Sequence, residues 1–261
     1  MVLPLGSVLA NAFWTMDGAF VVKDLSLTSF STILENPVYG KVLLRTLVNA
    51  LLVAFVAVAL AYPLAYLVSR ESSRIRNRLV VLVLLPLWMG YLMRIFAWQI
   101  LLGRQGIVNS VLMWLGVTNE PIGGLLYGPV SVWIALVQIS IPFVFVPIYL
   151  SLERIPDGII ESSRDLGASP RKSFTRIVLP LSAPGIAIGF VFAFIQAFGD
   201  YVTPTLLGGS RGILIGRVIV SQFGIAYNPP LGAALGLIVL AVTVVSVVVV
   251  LRLGAREAVL E

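Results

Sequence analysis

Four long stretches of this sequence contain no charged residue, and each of them has at least 20 residues. They are Leu47–Val68, Gly128–Leu150, Ile177–Gly199 and Gly232–Leu251. A helix needs about 20 apolar residues to cross the hydrocarbon core of a bilayer, whereas a strand usually has only about 5–6. The four stretches therefore predict membrane-spanning helices rather than buried strands. A fifth stretch, Leu79–Leu102, is interrupted only by Arg94 and is predicted to span as well.

The composition agrees with a membrane protein and argues against an enzyme. Only 11% of the residues are charged, against about a quarter in soluble domains. The chain has no cysteine and no histidine, which excludes thiolate zinc sites, thiol nucleophiles and histidine acid–base catalysis within it. The sequence also lacks a phosphate-binding Gly-x-x-x-x-Gly-Lys-Ser/Thr loop and an acidic pair inside the spans. We predict an all-α fold, a polytopic transmembrane helical bundle, with no catalytic residue and no metal site.

The distribution of basic residues predicts the orientation in the membrane. Of the 18 Lys and Arg residues, most lie in residues 70–78, in residues 151–176 or in the C-terminal tail. Cytoplasmic loops carry such an excess of basic residues, so these segments and the C-terminus are predicted to be cytoplasmic. Residues 15–41, 103–127 and 200–231 then lie outside. The last of these has polar ends and an apolar middle, which favours an amphipathic or re-entrant element.

The N-terminus is open to two interpretations. Residues 1–14 are uncharged but short for a span, and they lack the basic start of a cleaved signal peptide. They are either an interfacial helix or, as we expect, the end of a span whose beginning lies outside the sequence. The bundle then has five clear spans, or six with this segment. No internal repeat is evident, so residues 1–261 are predicted to form one domain, with a core at about 42–251.

The cytoplasmic loop 151–176 contains signals for two helices joined by a glycine turn. Asp157 after Pro156 is the predicted N-cap of the first helix. Gly167 is predicted to end this helix with a positive φ, and Ser169-Pro170 to begin the next one. A helix this short is marginal in water and needs a surface to lie on. An apolar stripe (Ile155, Ile159, Ile160, Leu166), with the small residues Ser162 and Ser163 between, is available for the chain's own bundle or for another protein.

The segment ESSRDLGASPRKSFTRIVLPLSAPGI, residues 161–186, resembles the signature loop of bacterial ABC importer permeases. The family pattern is Glu-Ala-Ala, three residues, Gly, then a Phe, an Ile and a Leu-Pro. Both alanines are serines here, and serine is also small. The resemblance implies the type I ABC importer permease fold and a coupling helix that docks in a groove of an ATPase. The residues implied to make this contact are Glu161, Ser162, Ser163, Asp165, Leu166, Gly167 and Ala168.

Three further segments are similar to the putrescine/spermidine-type subgroup: residues 44–70, 85–109 and 198–209. The resemblance covers roughly residues 25–251. It implies a permease subunit in the bacterial inner membrane that forms the translocation path for a small organic solute. The implied partners are an ABC ATPase dimer that binds ATP and Mg, an extracytoplasmic solute-binding protein, membrane lipid, and a second homologous permease or a second copy. Nucleic acid and a cofactor in this chain are not expected.

The substrate is expected to be a polyamine, putrescine or spermidine. Relatives in the same subgroup import opines, amino-phosphonates and other small metabolites, which remain alternatives. An ion-driven carrier or channel is a further alternative, although such proteins usually need several intramembrane charges and discontinuous helices.

Two groups of residues are candidates for cargo contact. Asp200 follows 23 uncharged residues, and its carboxylate could attract a cation with help from Tyr201. The alternative is a carboxylate at a helix end or paired with Arg211 or Arg217. Arg94 is an ionisable group within a predicted span, flanked by three aromatic residues: Trp88, Tyr91 and Trp98. The alternative is that Arg94 snorkels to the outer interface within an aromatic belt.

Overall fold

The computed structural model describes residues 2–18 and 20–257. Helix α1, Val2–Asn11, is followed by a small antiparallel hairpin of β1, Thr15–Asp17, and β2, Phe20–Val22. Thr15 pairs with Val22 in this hairpin. Ten helical residues rise about 15 Å, half the thickness of the hydrocarbon core, so α1 alone is too short to cross it. The hairpin is an addition to the otherwise helical architecture that the sequence did not indicate.

Four helices are long and apolar enough to cross a membrane, among the residues described. They are α3, Pro37–Ser69; α7, Pro129–Glu153; the continuous segment Pro170–Gly199; and the apolar part of α13, Pro229–Val250. Their mean hydropathy lies between 2.0 and 2.9. Each overlaps one of the four uncharged stretches to within one residue of that stretch, which confirms those spans. Helix α7 is the most enclosed, with 61% of its apolar window buried, whereas α13 has only 17% buried and offers its surface to lipid or to a partner.

The fifth predicted span, Leu79–Leu102, falls on two helices with a sharp bend between them. Helix α4, Ser73–Leu84, continues through a 3-10 turn at Leu85–Trp88 and then stops. Met89 is extended, and helix α5, Tyr91–Leu102, follows. The segment Tyr91–Trp114, which begins with α5, lies at an angle of 92° to Ser73–Trp88. The pair counts as a broken span or a re-entrant loop. Hydropathy measures how apolar the chain is, and it carries no information about a change of direction.

Short helices connect the long ones. Helix α2, Thr28–Glu35, precedes α3, and α6, Ile107–Trp114, follows α5. Helix α8, Asp157–Asp165, and α9, Pro170–Ser173, lie between α7 and α10, Leu179–Gly199. A single π-helical turn, Phe174–Val178, joins α9 to α10. Helices α11, Val202–Leu206, and α12, Ile215–Phe223, precede α13, Pro229–Glu257.

The chain divides into two compact units, each assembled from separate segments. Unit 1 comprises residues 1–49, 95–135 and 198–245, and unit 2 comprises residues 50–94, 136–197 and 246–261. Unit 1 has a core around Ile33, Ile215 and Leu235. Unit 2 buries large side chains of α7 and α10, among them Phe145 and Phe194. The single domain over 1–261 stays a prediction.

Candidate functional site

The loop between α7 and α10 folds as a short helix that ends in a glycine turn. Gly167 has φ +86°, as its position predicted. The Gly167 N–H donates to the Arg164 carbonyl over 2.8 Å, and the Ala168 N–H donates to the Ser163 carbonyl over 3.0 Å. These two bonds form the Schellman arrangement that satisfies the last carbonyls of a helix. The end of α8 is therefore fixed by backbone geometry that favours glycine.

The start of the second helix was also predicted correctly, and the start of the first was displaced by one residue. Ser169 is the N-cap of α9, and its hydroxyl accepts a hydrogen bond from the Lys172 N–H over 3.4 Å. Pro170 takes the first helical position. In contrast, Pro156 occupies the cap position of α8, and Asp157 is already inside the helix. The prediction of Asp157 as N-cap was wrong because Pro156 has the extended backbone of the cap residue, and the Asp157 carboxylate forms a salt bridge with Arg70.

The predicted apolar stripe of α8 is divided between two faces. Ile155 and Ile160 are buried, whereas Ile159 is 45% exposed and Leu166 is 90% exposed. Ser163 is buried with the inner pair. The outer face combines charged, small and apolar groups: Glu161, Ser162, Asp165, Leu166 and Gly167 are all exposed, and Ala168 is partly exposed. Leu166, at the C-terminal end of α8, is therefore the most exposed large apolar side chain of this loop.

Two serine hydroxyls hold α8 against α9, which continues through the π-helical turn into α10. The Ser163 Oγ donates to the Ile160 carbonyl over 2.7 Å, and it lies 2.7 Å from the Ser173 Oγ. Both serines are buried. Ser163 is one of the seven residues implied to contact an ATPase, and its buried hydroxyl stabilises the fold of the loop. Ser163, which stands at one of the family's two alanine positions, adds a polar link that alanine could not make.

Helices α7 and α10, which flank the loop, pack at close range. A Cβ atom on Gly185 would lie 2.4 Å from the Pro147 carbonyl oxygen and from the Ser151 Oγ. One turn further along α10, a Cβ on Gly189 would lie 3.1 Å from Val144. Glycines four residues apart allow this approach of two membrane helices. Sequence reasoning missed this contact, although the spacing of Gly185 and Gly189 was a visible signal.

Asp200, the first candidate for cargo contact, lies one residue before the N-cap Tyr201 of α11 and bonds to the first N–H groups of that helix. It is buried, and its two carboxylate oxygens accept hydrogen bonds from the N–H groups of Val202 and Thr203, over 3.0 and 3.2 Å. Among the described residues it forms no salt bridge with Arg211 or Arg217. Arg217 donates instead to the carbonyl of the turn at Gly209. The geometry favours the helix-end alternative, and cargo contact by Asp200 and the exposed Tyr201 stays a prediction.

Arg94 lies in α5, one turn after the 92° break, and it is 9% exposed. Its guanidinium carbon is 5.8 Å from the centre of the Tyr91 ring. Trp98 is partly buried one turn further along α5, whereas Trp88 precedes the break and is 79% exposed. The structure thus brings Arg94 and Tyr91 together, as the clustered sequence positions indicated. A role of these four residues in the translocation path stays a prediction.

Comparison with known proteins identifies the family. The model of the family described as "Binding-protein-dependent transport system inner membrane component" matches residues 4–258. The spermidine/putrescine transport system permease protein PotB of Escherichia coli (strain K12) is 37% identical over 232 residues, which cover 89% of this chain and 84% of PotB. The inner membrane ABC transporter permease protein YdcU of the same organism is 33% identical over 265 residues, covering 97% of this chain and 84% of YdcU.

Solved structures agree on the fold. A bacterial ABC transporter involved in the import of the acidic polysaccharide alginate superposes with a TM-score of 0.73 and 17% identity, over 98% of this chain and 90% of that chain. The alginate transporter in complex with a pentasaccharide-bound periplasmic protein gives a TM-score of 0.71 at 17% identity, over 98% and 87% of the two chains. The predicted fold class is confirmed. Together with the apolar spans and the glycine-terminated loop between α7 and α10, these matches establish that the chain belongs to the inner-membrane permease family of binding-protein-dependent ABC importers.

Proposed function

We propose that this chain is the permease subunit of a polyamine importer driven by an ABC ATPase dimer. The observation that carries the ATPase part is the geometry of α8, whose outer face presents Leu166 at 90% exposure beside exposed Glu161 and Asp165. Docking on a partner would remove this apolar side chain from water. A groove in an ATPase subunit would receive it. ATP and Mg would be bound by that partner, and the C-terminus of this chain would be cytoplasmic.

The packing around the loop supports a lever mechanism. Helix α8 is joined covalently to α7 and α10, which approach each other closely at Gly185 and Gly189. The Schellman turn and the pair Ser163–Ser173 restrict motion of α8 relative to α10. A displacement of α8 by the ATPase would therefore move α7 and α10 together rather than bend the loop. The two helices would then alternate the access of the translocation path between the two sides of the membrane.

Polyamine import is supported by the identity of 37% to PotB, whose name gives spermidine and putrescine as its substrates. An extracytoplasmic binding protein would deliver the cargo and would set most of the selectivity. The permease is proposed to work as a heterodimer with a second homologous permease, and a homodimer is the alternative. Import of an opine, an amino-phosphonate or an amino-acid-like metabolite is the alternative for the cargo.

Uptake of radiolabelled spermidine and putrescine by cells that express the complete operon tests the cargo. The same operon with this gene deleted is the control, and an excess of unlabelled amino acid tests the alternative substrates. We expect uptake that depends on this gene and is competed only by polyamines. Uptake of spermidine that is unchanged by the deletion would contradict a polyamine substrate.

A further inference from the structure

The end of α3 contacts the coupling loop, although the chain does not connect the two directly. Arg70 follows the last residue of α3, and its guanidinium forms a salt bridge with Asp157 in the first turn of α8. The same guanidinium lies 5.5 Å from the centre of the Tyr66 ring, within range of a cation–π interaction. The Arg70 side chain is only 23% exposed. One arginine therefore joins α3 to the start of α8.

A second set of contacts joins α3 to the other end of the loop. The Phe174 ring meets the Tyr66 ring edge-on at 5.6 Å and the Tyr62 ring edge-on at 5.9 Å. Both distances and angles are favourable for aromatic pairs. The Tyr62 hydroxyl is also 2.9 Å from the Ser182 Oγ on α10. Phe174 begins the π-helical turn, an irregularity that is frequent at functional sites.

The three α3 residues are spaced for this contact. Tyr62, Tyr66 and Arg70 are four residues apart, so they lie on one face of the helix, one turn above another. Tyr62 and Tyr66 contact Phe174, in the π-helical turn that leads into α10, and Arg70 contacts α8. We name the five residues Tyr62, Tyr66, Arg70, Asp157 and Phe174 the α3 clasp. It lies wholly within unit 2.

We infer that the α3 clasp makes α3 a third helix that follows the coupling loop, with Arg70 as its positioning residue. This inference rests on the proposed function. Helices α7 and α10 receive the movement of α8 through the chain, whereas α3 receives it through side chains. The Asp157 side chain is 78% exposed, and an ion pair at such a site contributes little to stability. Loss of this ion pair should therefore lower the amount of cargo transported per ATP hydrolysed more than it destabilises the fold.

Charge reversal at the two ends of the salt bridge tests this inference in the reconstituted whole complex. The variants are Arg70→Asp, Asp157→Arg and the double reversal, and Arg74→Asp is the matched control because Arg74 is an exposed arginine four residues from Arg70. The readouts are the amount of assembled complex, ATP hydrolysis stimulated by the binding protein, and spermidine taken up per ATP hydrolysed. We expect each single reversal to lower uptake per ATP by roughly three- to thirty-fold, the range typical of coupling residues.

The double reversal should restore uptake per ATP to within about twofold of the wild type, because it re-forms the ion pair. Arg74→Asp should leave all three readouts unchanged. Reduced assembly with an unchanged uptake per ATP, or no restoration by the double reversal, would overturn the inference. If the complexes that contain charge-reversed chains do not assemble, Arg70→Gln and Asp157→Asn test the same contact without introducing a repulsive charge.

A distance measurement tests the clasp independently of the cargo. The chain has no native cysteine, so spin labels can be placed at Ser72 and Gly158, which are exposed on the two sides of the salt bridge. We expect a narrow distribution of distances between the two labels that is the same with and without ATP, and a broad distribution in Arg70→Asp. A distance that changes with ATP in the wild-type chain would overturn the inference. Absence of ATP hydrolysis by the wild-type complex would instead contradict the proposed function.

Discussion

Ser173 donates its hydroxyl proton to the Oγ of Ser163 across 2.7 Å. This direction follows because the single hydroxyl proton of Ser163 is already donated to the Ile160 carbonyl. The two serines are therefore unequal partners. Removal of Ser163 leaves a buried donor on Ser173 without its acceptor, whereas removal of Ser173 leaves Ser163 bonded to Ile160.

We predict that Ser163→Ala destabilises the chain more than Ser173→Ala does. A buried donor left without a partner costs about 1–3 kcal/mol, whereas the double replacement is closer to neutral. The free energies of unfolding of both single variants and of the double variant can be compared by denaturation in mixed micelles. Equal losses in the two single variants would contradict the assigned direction of this hydrogen bond.

Replacement of Gly167 separates a conformational requirement from a steric one. Gly167 has φ +86°, and nothing lies within 4 Å of the position that a Cβ would take. A β-branched side chain at this φ is strained, by about 1–2 kcal/mol, whereas asparagine tolerates the left-handed region. We therefore expect Gly167→Val to lower uptake by roughly five- to thirty-fold and Gly167→Asn to stay near the wild type. Similar uptake in the two variants would argue against a fixed turn.

Gly185 is expected to be intolerant of even one methyl group. An alanine Cβ there would lie 2.4 Å from the Pro147 carbonyl oxygen, and a backbone atom within a packed helix cannot move cheaply. Overpacking of this kind costs about 1–3 kcal/mol. We predict that Gly185→Ala lowers the amount of folded protein in the membrane severalfold. Gly236→Ala is the matched control, since α13 leaves open space there, and it should express normally.

Two substitutions of Asp200 distinguish a role in stabilising the start of helix α11 from a role in binding cargo. Asparagine retains one acceptor for the N–H groups of Val202 and Thr203, whereas alanine retains none and costs about 0.5–2 kcal/mol at an N-cap. We expect Asp200→Asn to keep the wild-type KM for spermidine uptake and Asp200→Ala to lower the stability of the protein. A raised KM in Asp200→Asn, with normal assembly, would show that the carboxylate binds a cationic cargo.

The sequence predicted the spans well because uncharged length is a strong physical requirement of the bilayer. It placed their ends less well. Leu47–Val68 was predicted, whereas α3 begins at Pro37, since Lys41 and Arg45 end the apolar stretch without ending the helix. The break at Met89 escaped prediction for a different reason: a change of direction leaves no mark on hydropathy. In both cases hydropathy indicates which residues avoid water, whereas the ends and bends of helices also depend on backbone geometry.

The loop between α7 and α10 was predicted almost residue by residue, because glycine and proline restrict the backbone locally. Gly167 and Ser169-Pro170 took their expected positions. The contacts that required distant partners were missed: Arg70 is separated from Asp157 by 87 positions along the chain. No local pattern identifies such a pair. The N-cap was predicted one residue too late, at Asp157, whose carboxylate forms a salt bridge with that distant arginine.

Co-purification tests the central claim most directly. The tagged chain, expressed with its native operon, is purified in mild detergent, and the bound proteins are identified and quantified by mass spectrometry together with ATPase activity. We predict a stoichiometric ABC ATPase and a second permease, with ATPase binding lost when Leu166 is replaced by Asp and retained when the exposed Leu34 is replaced in the same way. A chain that purifies without a nucleotide-hydrolysing partner, or an ATPase that binds Leu166→Asp as well as the wild type, would contradict the account.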